Sequence, residues 1–165
     1  MAEKKQNHKS YKKLFIEIAE SKGYKIKKPS FAERKANVDF ILEGQKNGHS
    51  SEVRIDLKKK NGKNANHWVY IEYENSKGSE GWLYGMSDFI IFETSKDFIF
   101  IPRKGLIKFL NESQIVRWDL PYVDKPWNSK YRLFRRKDTL ETITQIKVQD
   151  LLNIPNHQVW PKHLK

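Results

Sequence analysis

Residues 52–58 read EVRIDLK, and residues 37–42, one turn earlier, read NVDFIL. In the first stretch Val53, Ile55 and Leu57 alternate with Glu52, Arg54, Asp56 and Lys58. A strand here has an apolar face and an opposite face bearing four charges of both signs. In the second stretch Asp39 sits between apolar Val38 and Phe40; a carboxylate buried without a partner is costly, so Asp39 demands one. The intervening EGQKNGHS (residues 43–50) contains an Asn-Gly step, the usual chemistry of a hairpin turn. The two stretches are therefore predicted to pair.

Outward from this hairpin, Tyr11, Leu14, Phe15 and Ile18 recur at helical spacing and Gly23 ends the run, predicting a helix over about residues 10–22. WVYIEYEN (68–75), DFIIFET (88–94), DFIFIP (97–102) and ETITQIKV (141–148) read as strands. KGLIKFLNES (104–113) and QDLLNI (149–154) read as helical, and PYVDKPWNSKYRLFRRKD (121–138) as a basic aromatic loop with a strand inside it. The polar segment before NVDFIL reads as a loop. This order predicts an α/β (α+β) domain with a central mixed β-sheet flanked by helices. One domain over residues 1–165 is expected, with a core over about 10–110 and a basic C-terminal extension over about 111–165.

The 165 residues carry a formal charge of +12, and 13% of them are aromatic, which argues against disorder. A surplus of cations on a small chain favours polyanionic partners, because each Lys or Arg that neutralises a phosphate releases counterions. With no cysteine there is no disulfide, thiolate nucleophile or Cys-type zinc site, which fits a reducing compartment. The five His have no ligand-like spacing, and no phosphate-binding glycine loop of the ATPase type is present. No signal peptide or membrane span is expected, which places the protein in the cytoplasm.

If the strands around Asp39, Glu52 and Glu72 are neighbours in a meander, their acids converge beside Arg54 and Lys58. That grouping suits metal-assisted phosphodiester hydrolysis. Hard Mg²⁺ takes carboxylate, water and phosphate oxygens, and a nearby cation stabilises the attacked phosphate.

An Asp on one strand of a hairpin followed by Glu-x-Lys on the next resembles the PD-(D/E)XK nuclease superfamily. Here the match is Asp39 with Glu52-Val53-Arg54, preceded by LFIEIAESKGYKI, which looks like that family's first helix and offers Glu17 or Glu20 as a further acid. The resemblance covers roughly residues 10–110. It implies a restriction-endonuclease-like core and a Mg²⁺-dependent DNA endonuclease, with Mn²⁺ as the alternative ion. It also implies a homodimer or higher homo-oligomer that cuts both strands, of the accessory kind carried by phages or mobile elements. Asp39 and Glu52 would hold the metal, with Glu72 as an additional ligand or water-orienting acid, and Arg54 or Lys58 would steady the phosphate. Two departures stand out. The motif's Pro is replaced by Val38, and Arg54 stands where Lys is expected, although Arg cannot give up a proton. The register Asp39 … Asp56-Leu57-Lys58 restores the Lys on the same strand face; Glu52/Arg54 is preferred for the shorter hairpin it implies. DNA contacts are assigned to Lys59, Lys60 and Lys63 in the loop KKKNGKNANH (58–67), to Trp82 as a base-stacking ring, and to Arg132, Arg135, Arg136 and Lys137. The alternative is a non-catalytic nucleic-acid-binding protein on a nuclease-like fold.

Overall fold

The structure, a computed structural model, describes residues 10–62 and 64–163. In chain order the elements are α1 (Tyr11–Ser21), β1 (Lys25–Lys27), α2 (Phe31–Lys35), β2 (Phe40–Lys46), β3 (His49–Lys58), β4 (Trp68–Glu74), β5 (Phe89–Glu93), β6 (Asp97–Pro102), α3 (Arg103–Ser113), β7 (Phe134–Arg135), β8 (Thr142–Lys147), α4 (Val148–Leu151) and β9 (Gln158–Pro161). The class is α+β, with a mixed six-stranded sheet ordered β1-β2-β3-β5-β6-β9 and a three-stranded sheet ordered β4-β8-β7.

Helix α1 begins where Ser10 Oγ accepts the Lys13 N–H at 3.2 Å, and it buries Phe15, Ile18 and Ala19. The segment read as a polar loop contains α2, started by a reciprocal capping box in which Ser30 and Glu33 each bond the other's backbone N–H. The Ser-x-x-Glu spacing that signals it was present in the sequence. Strand β9 also lay outside the sequence expectation.

The β2–β3 hairpin turns on Asn47 (φ 54°) and Gly48 (φ 78°) alone. Two consecutive residues with positive φ make the primed turn whose twist matches paired strands, and Gly at the second position avoids the steric penalty of that region. Such a two-residue turn leaves no freedom of register. Lys46 pairs with His49, and the ladder runs down to Phe40 opposite Ile55.

Strand β4 does not continue this meander. The other neighbour of β3 is β5, running parallel with Ile55 beside Phe89 and Lys58 beside Phe92. The physical reason lies in the side chains. Strand β5 is apolar towards both faces, as a strand covered on both sides must be, whereas β4 alternates buried and half-buried residues. A parallel pair also needs a long crossover, which β4 and the turn Trp82–Tyr84 provide.

The large sheet separates two cores. On one face Phe15, Ile18 and Ala19 of α1 pack on Leu42, Ile55, Leu57, Ile91, Phe98, Phe100 and Trp160. On the other, Ile90, Phe92, Ile99 and Ile101 meet α3 and the inner face of the small sheet through Leu106, Leu110, Val69, Ile71 and Ile146. Asp56 and Lys58 lie beside Ile90 and Phe92, so they face this second core.

Candidate functional site

Asp39 immediately precedes β2, whose ladder ends at Phe40 opposite Ile55, and its carboxylate lies beside that of Asp56. The Asp39 N–H donates to the Ile55 carbonyl at 2.8 Å, and Asp39 Oδ2 accepts the Leu57 N–H at 2.8 Å, so the carboxylate is clamped against β3. Asp39 Oδ1 lies 3.7 Å from Lys12 Nζ on α1. Asp56 is only 2% exposed; Oδ1 is paired with Lys58 Nζ at 2.8 Å, while Oδ2 has no hydrogen-bond donor. Its pKa is pushed up to about 7, first by burial and further by the adjacent Asp39, against the pull of Lys58. An ionised carboxylate only accepts hydrogen bonds. Two of them side by side, one buried, are held together by a shared proton or by a cation. Two adjacent carboxylates are the kind of oxygen donor that a hard divalent ion takes. Among the described residues no three or more His, Cys, Asp or Glu side chains are gathered into a metal cage.

Lys58 is the hinge of the arrangement. Besides pairing with Asp56, its ammonium lies 4.5 Å from the centre of the Trp82 ring. It also forms part of the wall of a cleft of about 350 Å³ with Lys59, Lys60, Trp68, Tyr70, Glu72, Trp82, Glu93 and Arg136. Glu72 enters from β4, its Oε1 accepting the Trp82 N–H at 3.1 Å. Burial raises the Glu72 pKa, with the Trp82 N–H and Lys58 acting in opposition. Gly81 makes the Trp82 turn fit, because a Cβ there would stand 2.4 Å from the Glu72 carbonyl oxygen.

The preferred register is corrected by this geometry. Glu52 lies opposite Glu43, four residues and about 13 Å up the strand from Asp56, and its carboxylate is paired with Lys27. Arg54 is likewise occupied: its Nε donates to Glu33 Oε2 at 2.6 Å, and its backbone N–H donates to Asp88. Glu52 is not brought to Asp39, and Arg54 is locked to α2. Glu72 sits in the other sheet and forms no metal-holding group with the Asp pair. Glu17 is half-buried on α1 and belongs to no such group either.

Of the assigned DNA contacts, Lys59 and Lys60 are exposed at the rim of the cleft, and Lys63 lies outside the described residues. Trp82 is buried against Phe92 beneath Lys58, which removes it as a base-stacking surface. Arg136 reaches the cleft but is paired with Glu141 at 2.8 Å. Arg132 donates to the Pro121 carbonyl, and Arg135 donates to Thr142 and lies 3.6 Å from Glu74. Lys137 is exposed.

Several neighbours escaped the sequence reading. Burial raises the Tyr11 pKa, with Asp39, Glu93 and Asp56 adding to it and Lys12 opposing. Glu93 is buried, accepting the Lys60 N–H at 2.9 Å and pairing with Lys162 at 2.9 Å. Tyr11 and Lys162 are about 150 residues apart in sequence, and no local pattern links them.

No family model, curated protein or solved structure matches this chain. Among the described residues no helix is long and apolar enough to cross a membrane.

Proposed function

We propose that this chain is a Mg²⁺-dependent deoxyribonuclease of PD-(D/E)XK type, a phosphodiester hydrolase with a restriction-endonuclease-like core, in the register Asp39 … Asp56-Leu57-Lys58. The observation that carries the reading is the buried Asp56 oxygen without a donor, set beside the Asp39 carboxylate. Asp39 and Asp56 are the residues that would hold the ion, Mg²⁺ or Mn²⁺. When bound, such an ion polarises a phosphoryl group and lowers the pKa of its water. Lys58, fixed between Asp56 and Trp82, presents an ammonium where charge develops on the attacked phosphate, and unlike Arg it can exchange a proton. Lys12 supplies a second cation on the open side of Asp39. The substrate is DNA, the formal +12 charge supplies long-range attraction, and a homodimer would present one site to each strand. The lack of cysteine fits a reducing, intracellular setting.

The second reading is a non-catalytic nucleic-acid binder. One observation favours it: no three-group cage is found among the described residues. Nicking of supercoiled plasmid separates the two. Wild type is expected to nick in Mg²⁺ and not in EDTA, and Asp39→Ala to abolish nicking with the fold retained. Wild type that binds plasmid but never nicks it in Mg²⁺ or Mn²⁺ would establish the binder instead.

A further inference from the structure

The cleft beside the carboxylate pair differs in character from a surface that tracks a continuous duplex. It is a concavity of about 350 Å³, at the small end of the ~300–1,000 Å³ range typical of small-ligand pockets. Trp68 and Tyr70 project into it from β4, both half-buried, with Glu72 beyond them. Lys59 and Lys60 stand exposed at its rim. Trp68 is itself flanked by cations, with Lys130 and Lys147 at 5.1 and 5.9 Å from its ring centre. Aromatic rings within a rim of cations match the two parts of a nucleotide, a π-face and a phosphate. Bases inside a duplex are stacked and paired and cannot enter a pocket of this shape, whereas an unpaired or extruded base can. The cleft and the carboxylate pair share Lys58, so a nucleotide seated here lies next to the phosphate that the pair would act on.

We infer that this cleft seats an unpaired nucleotide adjoining the scissile phosphate, and that the substrate class is DNA with a single-stranded segment at the cut. The assignment of the cut rests on the nuclease reading; the binding of an unpaired base does not. Glu72, anchored by the Trp82 N–H, is the acceptor available to an exocyclic amino group, which thymine lacks.

The test uses a single-stranded oligonucleotide carrying one 2-aminopurine and a fully paired duplex of the same length. Binding is followed by anisotropy in EDTA, where cleavage plays no part. Wild type is expected to bind the single strand more tightly than the duplex and to change the 2-aminopurine emission on binding. Tyr70→Ala is expected to weaken single-strand binding about tenfold, the scale of one lost stacking contact, with little effect on the duplex. Lys59→Gln/Lys60→Gln tests the same cleft at exposed positions that tolerate substitution, and circular dichroism confirms folding of every variant. Equal affinity for both oligonucleotides, with no response to either variant, would overturn the inference even if plasmid is nicked. Selective, cleft-dependent binding without any nicking would instead leave the inference standing and remove the nuclease reading.

Discussion

Asp56 carries the heaviest electrostatic cost in the site. Its carboxyl titrates near 7 in the folded chain against 3.8 for the free group, so between those values the native state holds a proton that the unfolded state has released. Stability therefore falls as pH rises from about 4 to about 7, by roughly 4 kcal/mol for a difference of this size, and is flat above. In EDTA, urea melts should show wild type less stable at pH 8 than at pH 5. Asp56→Asn should lose most of that slope and exceed wild type in stability at pH 8 while failing to cut. A divalent ion replaces the proton, so Mg²⁺ should raise the wild-type melting temperature at pH 8 and leave the variant unmoved. Glu52 provides the contrast at the same scale. Its carboxylate meets Lys27 at the exposed end of the hairpin, where an ion pair is worth little. Glu52→Gln should nick plasmid within a few-fold of wild type; a loss as deep as that of Asp56→Asn would restore the register that the geometry rejects.

The β2–β3 hairpin acts at the scale of an element, since it alone sets which acid faces Asp39. Gly48 holds φ 78°, a conformation that costs an L-residue about 1–2 kcal/mol. Gly48→Val is expected to lower stability by that order in urea melts. Inserting one Gly between Asn47 and Gly48 changes the turn length and slips the register. One step of slip turns the β2 side chains to the opposite face, so Asp39 should part from Asp56. Nicking should then be lost far out of proportion to any loss of stability. Gly81 matters for a different reason, close approach to the Glu72 backbone, and Gly81→Ala should disturb Trp82 and with it the seat of Lys58.

Charge acts over the whole molecule. A formal +12 predicts DNA binding that weakens steeply with salt, by about 10³–10⁵ between 50 and 200 mM for a protein making 6–10 phosphate contacts. Catalytic and non-catalytic readings share that behaviour, so the deciding measurement is its coupling to a metal. The Asp pair repels a phosphate until a divalent cation neutralises it. At matched ionic strength wild type should bind DNA more tightly in Ca²⁺ than in EDTA, and Asp39→Asn should improve binding in EDTA while abolishing the Ca²⁺ gain. Equal wild-type affinity in the two conditions would remove the metal site from the proposal.

Local information was enough for most of the elements, though not for β9, and for the hairpin. Tyr11, Leu14, Phe15 and Ile18 give α1 its apolar stripe, and the alternation in residues 52–58 and 68–74 gives β3 and β4 their two faces. The Asn-Gly step even contained the register: a two-residue turn at 47–48 pairs Phe40 with Ile55, next to Asp39 and Asp56, and leaves Glu52 to Glu43. Ser30 and Glu33 likewise announced α2 by their spacing. What no local pattern carried was the partner of each finished strand. Strand β4 joined β8, more than sixty residues away, because sheet membership depends on which faces are covered once the whole chain has collapsed. The same collapse buried Trp82 beneath Lys58, drew Lys162 to Glu93, and left one Asp56 oxygen without a donor. Burial and desolvation are properties of the packed molecule, so the sequence named the acid and only the tertiary structure gave it its charge problem.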